Sequence, residues 1–305
     1  MPKLTDTDKS TISDLRLRRT MLLTPGNQLS RLEKATKLDV DSVVFDLEDG
    51  VGPNDKAQAR DAVNEALATF DFGHRERLVR VNAIGTSEFR DDMAALEIAN
   101  IDALFVPKVE SAEQLQKLDG ILQGLEKRDG GDRHIDVVAT IETPRGLLKA
   151  LDIADASTRT SALFFGSGDY AAATGSATTA RAFEFPRATI AAAAAAAELQ
   201  AIDAAYFVGI KDAEATREDA AIGRELGFDG KIIFHPNQVA PCNEVFSPSP
   251  EDISSAQRIV DAHAAAVATG EGVAYVDGTF LAIDIVLMAE RVLRKAAAIA
   301  ARARA

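Results

Sequence analysis

Eight short apolar runs, at 21–24, 42–45, 78–81, 103–106, 137–141, 162–165, 205–210 and 231–234, recur along the chain. Each is bounded by Gly, Pro, Asp or Asn, and most are rich in Val, Ile or Phe, the composition of strands buried on both faces of a parallel sheet. Helical composition and periodicity fill the intervals at 29–38, 55–70, 111–125, 144–153 and 213–226. A strand–helix alternation repeated eight times predicts a closed parallel (β/α)8 TIM barrel rather than an open sheet. A chain of 305 residues accommodates one such barrel with extra helices.

The expected boundaries are an N-terminal tail at 1–17, the barrel at 18–240 and a C-terminal helical arm at 241–305. Seven consecutive alanines, Ala191 to Ala197, lie in a helical stretch at 186–200. Alanine is the best helix former and lets a helix approach its neighbour closely, so this stretch is read as packed on the barrel wall. The arm combines helical stretches at 250–269 and 281–303 with a turn-rich segment at 270–278. Such an arm is expected to pack on a neighbouring subunit or to cover a site.

A formal net charge of −13 argues against nucleic acid and anionic membranes as general partners. A local group of Lys and Arg could still bind an anionic substrate. Cys242 is the single cysteine, which rules out an intramolecular disulfide and argues against a cysteine-based zinc site. No apolar segment is long enough to span a bilayer, and 1–13 has no apolar signal core. The simplest expectation is a cytoplasmic protein.

Catalytic groups of a (β/α)8 barrel gather at the C-terminal ends of its strands. Two runs stop at a lone acid there: 137–141 is followed by Glu142, and 162–165 by Gly166-Ser167-Gly168-Asp169. Mg2+ suits such a pair, because it prefers carboxylate oxygens and completes its octahedron with water and substrate oxygens. Mn2+ has similar ligand preferences, and the dispersed His residues favour no softer metal. The competing reading makes both acids helix caps or salt-bridge partners; Pro144, directly after Glu142-Thr143, does mark a helix start. Arg80 ends the third run and suits either a bidentate grip on a carboxylate or an ion pair with a neighbouring acid. Asp46, Glu48 and Asp49 crowd the end of the second run, where some would orient arginines or metal-bound waters. Lys108 follows the fourth run. His235, after the eighth, could serve as acid or base, or as a structural histidine before Pro236. Pro25 and Gly26 follow the first run, with Arg18 and Arg19 leading into it.

These residues fall in ordered motifs. They include Arg18-Arg19-Thr20-Met21-Leu22-Leu23-Thr24-Pro25-Gly26-Asn27, Phe45-Asp46-Leu47-Glu48-Asp49-Gly50-Val51 with Lys56 and Arg60 following, and Val79-Arg80-Val81-Asn82. Val106-Pro107-Lys108-Val109-Glu110-Ser111, Ile141-Glu142-Thr143, Gly166-Ser167-Gly168-Asp169, Gly227-Phe228-Asp229-Gly230-Lys231 and His235-Pro236-Asn237-Gln238 complete the series. Through them the chain, from about Arg18 to Ala289, resembles the citrate lyase beta subunits and the malyl-CoA and citramalyl-CoA lyases of the HpcH/HpaI aldolase superfamily. The resemblance implies a homotrimer or dimer of trimers that uses Mg2+ to cleave or form a small β-hydroxyacyl-CoA, by way of a 2-oxo acid and an acyl-CoA enolate. It implies Glu142 and Asp169 as metal ligands, and Arg80 as the holder of the carboxylate of a 2-oxo acid such as glyoxylate, pyruvate or oxaloacetate. Arg19, Pro25, Gly26, Lys34, Glu48, Asp49, Gly168 and His235 join Arg80 as implied substrate contacts. Lys34 matches a lysine that meets coenzyme A phosphates; at the earlier such position stands Ser30, with Arg31 adjacent.

One position departs from the pattern. Family members that make or break the carbon–carbon bond usually carry an aspartate four residues after the glycine matching Gly278, and that position here is Ala282. Asp284 could take the role through a two-residue shift of the loop, with Asp277 the weaker candidate. An alanine cannot transfer a proton. Three alternatives to a lyase therefore stand: a malyl-CoA-type thioesterase, a CoA-independent 2-oxo acid aldolase, or a binding paralogue with little or no turnover.

Overall fold

The strands of the barrel are β1 (Thr20–Pro25), β2 (Ser42–Asp46), β3 (Glu76–Arg80), β4 (Ala103–Val106), β5 (Asp136–Ile141), β6 (Thr160–Phe165), β7 (Gln200–Asp203) and β8 (Gly230–Ile233). They come from a computed structural model that describes residues 15–131, 133–205, 207–269, 274–276 and 279–303. All eight pair in parallel and in chain order, and β8 closes on β1 from Thr20↔Lys231 to Leu22↔Ile233.

Closure follows from the two-residue period of strand side chains. Met21, Val44, Leu78, Phe105, Phe164 and Ile232 pack together inside the barrel. Their strand neighbours Leu22, Val43, Phe45, Val79, Leu104 and Leu163 instead belong to the layer shared with the helices. Both faces are therefore apolar, which is why the strands look like continuous hydrophobic runs.

The helices of the barrel unit are α1 (Leu29–Ala35), α2 (Lys56–Thr69), α3 (Ser87–Ala95), α4 (Ala112–Arg128), α5 (Pro144–Leu147), α6 (Ala150–Ala154), α7 (Ser167–Thr174), α8 (Ala180–Ala196), α9 (Ala213–Glu225) and α10 (Val239–Val245). Helix α4 shows the local logic. Ser111 and Gln114 close a capping box at its start, and Leu115, Leu118 and Leu122 form one buried stripe. The alanine run lies mostly in α8, where Ile190, Ala191, Ala193 and Ala194 are buried.

Two expectations need correction. The seventh strand is Gln200–Asp203, not 205–210. Helix α8 ends at Ala196, and Glu198 adopts a left-handed φ of 58° that turns the chain directly into β7. The true strand was hidden because it carries Asp203, a fully buried charge. The helical stretch at 144–153 is split into α5 and α6, with Lys149 between them off helical geometry at φ −121° and ψ 17°.

Arg18 and Arg19 sit at the amino-terminal ends of the strands. Arg18 is buried and makes a bidentate contact with Glu76 at 2.8 and 2.7 Å. Arg19 grips Asp41 at 2.9 and 2.8 Å. These pairs close the end of the barrel opposite the one where chemistry is expected.

The chain divides into two compact units, with Arg18–Phe246 forming the barrel unit. From Ser247 on, the second unit contains α11 (Pro250–Thr269), an antiparallel pair β9 (Ala274–Val276) and β10 (Thr279–Leu281), and α12 (Ile283–Arg302). A small apolar cluster of its own joins Ala266 and Leu281 with Ile259, Ala262, Val276 and Ile285. Asp277 and Gly278 lie outside the described residues. No helix among the described residues is long and apolar enough to cross a membrane.

Candidate active site

Asp46, the last residue of β2, organises one side of the barrel mouth. Its carboxylate accepts hydrogen bonds from Arg80 Nε at 2.7 Å and Arg80 Nη2 at 2.6 Å. The same two oxygens accept from the amides of Glu48 at 2.8 Å and Gly50 at 2.9 Å, which folds the following turn around them. Residue 50 must be glycine for this, because a Cβ there would overlap Asp46 Oδ2. Glu48 then lies 3.1 Å from Arg80 Nη1 and accepts from Lys108 Nζ at 2.8 Å. Lys56 ties the turn down from below, donating to the carbonyls of Leu47 and Glu48 at 2.6 and 2.7 Å.

Lys108 links this side to the other. Its backbone is left-handed, with φ 54°, and its amide donates to Glu142 Oε1 at 2.6 Å. Glu142 follows β5 and is only 4% exposed. Gly166 makes room for it: a Cβ at that position would lie 2.6 Å from Glu142 Oε2. Asp169 stands in the first turn of α7, exposed to solvent.

Burial pushes the Glu142 carboxyl up to about 8, and the charges of Asp169 and Glu48 push the same way. The Lys108 amide and Arg80 oppose the shift without cancelling it. Burial also works against the Arg80 charge, but Asp46, Glu48 and Glu142 outweigh it and keep the guanidinium cationic. Without a metal, the folded chain thus holds a proton on Glu142 that the unfolded chain releases at ordinary glutamate pH. Over that interval the folded state binds more protons, so this group's contribution to stability falls as pH rises from about 4.5 through about 8. Chelator-treated wild type is expected to lose denaturant stability relative to Glu142→Gln between pH 6 and pH 9. A constant difference across that range contradicts the assignment.

A cavity of about 250 Å³ opens at this face. Arg80, Gly166, Ser167, Gly168 and Asp169 contribute one part of its wall, and Leu23, Phe105, Phe164, Ile232 and Phe234 contribute an apolar part. The rings of Phe105 and Phe164 are 5.0 Å apart.

The donor set fits a hard divalent cation. Glu142 is a carboxylate whose charge is destabilised by its surroundings, and an added positive charge would relieve that cost. Among the described residues no group of three or more His, Cys, Asp or Glu is arranged to hold a metal ion. A cation here would take few protein oxygens and fill its other positions with water and substrate, as Mg2+ prefers.

Several expected contacts lie elsewhere or have other tasks. Arg19 is at the opposite end of the barrel, held by Asp41. His235 caps a short 3-10 turn, Pro236–Gln238, its Nδ1 accepting from the Asn237 amide at 3.1 Å. Gly26 packs under β2; its amide donates to the Asp46 carbonyl at 2.8 Å, and a Cβ would lie 2.7 Å from that oxygen. Pro25 ends β1 beside it, and Lys34 is exposed in the last turn of α1. Asp49 is largely exposed, 3.9 Å from Lys108 Nζ. Asp284 belongs to the other unit, exposed in the first turn of α12. Sequence reasoning did not single out Lys108 as the residue touching both Glu48 and Glu142, and it missed the apolar cavity wall. Lys108 carried a signal, an ionisable residue at a strand end; the phenylalanines looked like ordinary core.

A closed (β/α)8 barrel with buried, mutually braced ionisable groups at its C-terminal face has the architecture of a barrel enzyme. The HpcH/HpaI aldolase/citrate lyase family model matches residues 19–236. The citrate lyase subunit beta of Leuconostoc mesenteroides subsp. cremoris is 35% identical, over 92% of this chain and 94% of that protein. A (3S)-malyl-CoA thioesterase of Cereibacter sphaeroides is 38% identical, over 93% of this chain and 96% of that protein. The structure of the protein CitE from Mycobacterium tuberculosis in complex with magnesium, acetoacetate and coenzyme A superposes with a TM-score of 0.72. It is 30% identical, with 91% of this chain and 97% of that one covered. The chain belongs to the HpcH/HpaI aldolase/citrate lyase family.

Proposed function

We propose that the protein is a Mg2+-dependent carbon–carbon lyase that cleaves or forms a small β-hydroxyacyl-CoA of the malyl-CoA or citramalyl-CoA type. The observation that carries this reading is a fixed arginine, Arg80, and Asp169 on the wall of one small cavity at the barrel mouth, with the buried Glu142 packed against Gly166 of that wall. Cleavage of such a thioester yields a 2-oxo acid and the enolate of an acyl-CoA. In this reading Glu142 and Asp169 hold the ion, whose chemical contribution is Lewis-acid polarisation of the oxygen that becomes the oxo group. Arg80 orients the acid's carboxylate. Asp46 takes two of its five N–H groups and Glu48 lies 3.1 Å from Nη1, which leaves one N–H on Nη1 and one on Nη2 for a ligand. Asp46 and Glu48 prevent the guanidinium from swinging, so orientation is set before the substrate arrives.

The proton for the enolate carbon needs a separate donor. Ala282 caps the start of α12 with no side-chain hydrogen bond, so it supplies none. We assign the role to Asp284, whose Oδ1 accepts only a local bond from the Ile285 amide at 3.0 Å in the described contacts. The arm would then serve the site of a neighbouring copy in a trimer or dimer of trimers.

Thioester hydrolysis is the second reading. Two observations favour it: alanine at position 282, and the similarity to malyl-CoA thioesterases. The test is to incubate the protein with Mg2+ and malyl-CoA or citramalyl-CoA and to follow free thiol, acetyl-CoA and 2-oxo acid together. Acetyl-CoA with oxo acid supports the lyase. Free coenzyme A with intact hydroxy acid supports the thioesterase, and no turnover of either thioester overturns both. Asp284→Ala is expected to remove lyase turnover while leaving cation binding intact; undiminished turnover rejects Asp284 as the donor.

A further inference from the structure

Lys56, the first residue of α2, commits all three of its N–H groups to the turn that carries Glu48 and to the residue beside it. They donate to the carbonyls of Leu47 and Glu48 at 2.6 and 2.7 Å and to Asn82 Oδ1 at 2.8 Å. None of these described contacts is with a carboxylate. Asn82 is buried, and its Nδ2 donates to the Leu47 carbonyl at 3.0 Å and to Asp92 Oδ2 at 2.7 Å. Asp92 is fully buried on α3 and accepts in turn from Arg60 Nε at 2.7 Å and from the Asn82 amide at 2.8 Å. Groups from α2, α3 and the end of β3 therefore converge on the two peptide units that flank Glu48. A peptide unit is planar, so holding the carbonyls before and after the Glu48 Cα fixes its φ and ψ, and with them the direction of its side chain. That carboxylate is what Arg80 Nη1 and Lys108 Nζ meet, at 3.1 and 2.8 Å.

We infer that Lys56 is a positioning residue for the candidate active site, acting through Glu48 on the orientation of Arg80 and not on the cation. This rests on the functional reading above and goes beyond it. Without Lys56, Asn82 Oδ1 has no partner in the described contacts, and the Glu48 carbonyl keeps only the Val51 amide at 3.0 Å. The turn can then re-aim the Glu48 carboxylate, and Arg80 Nη1 loses its brace. Glu142 is fixed by the Lys108 amide, and Asp169 stands on α7; neither has a described hydrogen bond to Lys56, Asn82 or Leu47. Loss of Lys56 is therefore expected to disturb the grip on the oxo acid and to spare the cation.

The test is a double-mutant cycle on the intact protein with Lys56→Met, Glu48→Gln and the double variant. Mn2+ affinity is read by electron paramagnetic resonance, and binding of glyoxylate, pyruvate and oxaloacetate to the Mg2+-loaded protein by calorimetry. Lys56→Met is expected to leave Mn2+ affinity unchanged and to weaken the acid that wild type binds best by about tenfold, the usual effect of losing one hydrogen bond to a charged group. In the Glu48→Gln background the same change is expected to have little further effect, because its route to Arg80 is already cut. Additive losses overturn the inference, as does wild-type affinity in Lys56→Met or an equal loss of Mn2+ and oxo acid. If wild type binds none of the three acids, the functional reading fails and the role of Lys56 falls with it. Lys56→Cys adds a rescue, since 2-bromoethylamine converts the introduced thiol into a close copy of lysine. The native Cys242 does not compete, being fully buried with its thiol pushed up to about 12. Oxo-acid affinity is expected to return after 2-bromoethylamine and not after iodoacetamide; equal affinity after both reagents counts against the inference. If neither variant folds, Lys56 is a structural tie and the inference fails.

Discussion

Glu142→Ala is expected to abolish tight Mg2+ binding and metal-dependent turnover while leaving the barrel folded. Removing a group that only orients a metal ligand costs about 10–100-fold in affinity or activity, and losing the ligand itself exceeds that range. Burial, Asp169 and Glu48 all disfavour the charge on Glu142. A variant without that charge gives up the ion and removes a cost from the metal-free protein. The expected signature is therefore paired: lost cation binding, with chelator-treated stability at pH 9 equal to or above wild type. Asp169→Ala is expected to lose cation binding as well, but with a smaller change in metal-free stability, because Asp169 is exposed. Normal turnover in either variant refutes the ligand assignment.

Asp203→Asn is expected to destabilise the barrel by about 3–5 kcal/mol, the usual cost of breaking a buried ion pair by removing one partner. Asp203, on β7, accepts from Arg187 of α8 at 2.9 and 3.0 Å and from Lys231 of β8 at 2.5 Å. Lys231 also lies 2.6 Å from Asp219 of α9. Lys231 and Asp203 are completely buried, and Arg187 is nearly so. The network thus joins two strands to the two helices that cover them. Asparagine keeps the shape and removes the charge, leaving two buried cations to share Asp219. Urea denaturation measures the effect, and a loss below about 1 kcal/mol, the level of an exposed pair, shows that the network is not a structural tie.

The fold was legible because both faces of each strand are buried. Runs such as 103–106 are apolar throughout and coincide with β4 (Ala103–Val106). The exception, β7, shows where that signal fails: a strand that carries a buried ion-pair partner is not apolar, and the neighbouring alanines drew the boundary the wrong way. At the mouth, sequence position along a strand was enough to bring Arg80, Glu48, Glu142 and Asp169 into view. It was not enough for partners set by backbone conformation. The contact between Lys108 and Glu142 depends on a left-handed residue after β4, and lysine is not a residue type that announces one. Arg19 misled for the opposite reason. It lies in the right motif, but a six-residue strand separates it from the loop it was expected to join.

The central claim is that Glu142 and Asp169 hold one divalent cation beside Arg80. The most direct measurement is a titration of the chelator-treated protein with Mn2+, followed by electron paramagnetic resonance, for wild type, Glu142→Ala and Asp169→Ala. One tightly bound ion per chain in wild type, absent from both variants and displaced by Mg2+, is the predicted result. Equal Mn2+ binding by all three proteins would contradict it.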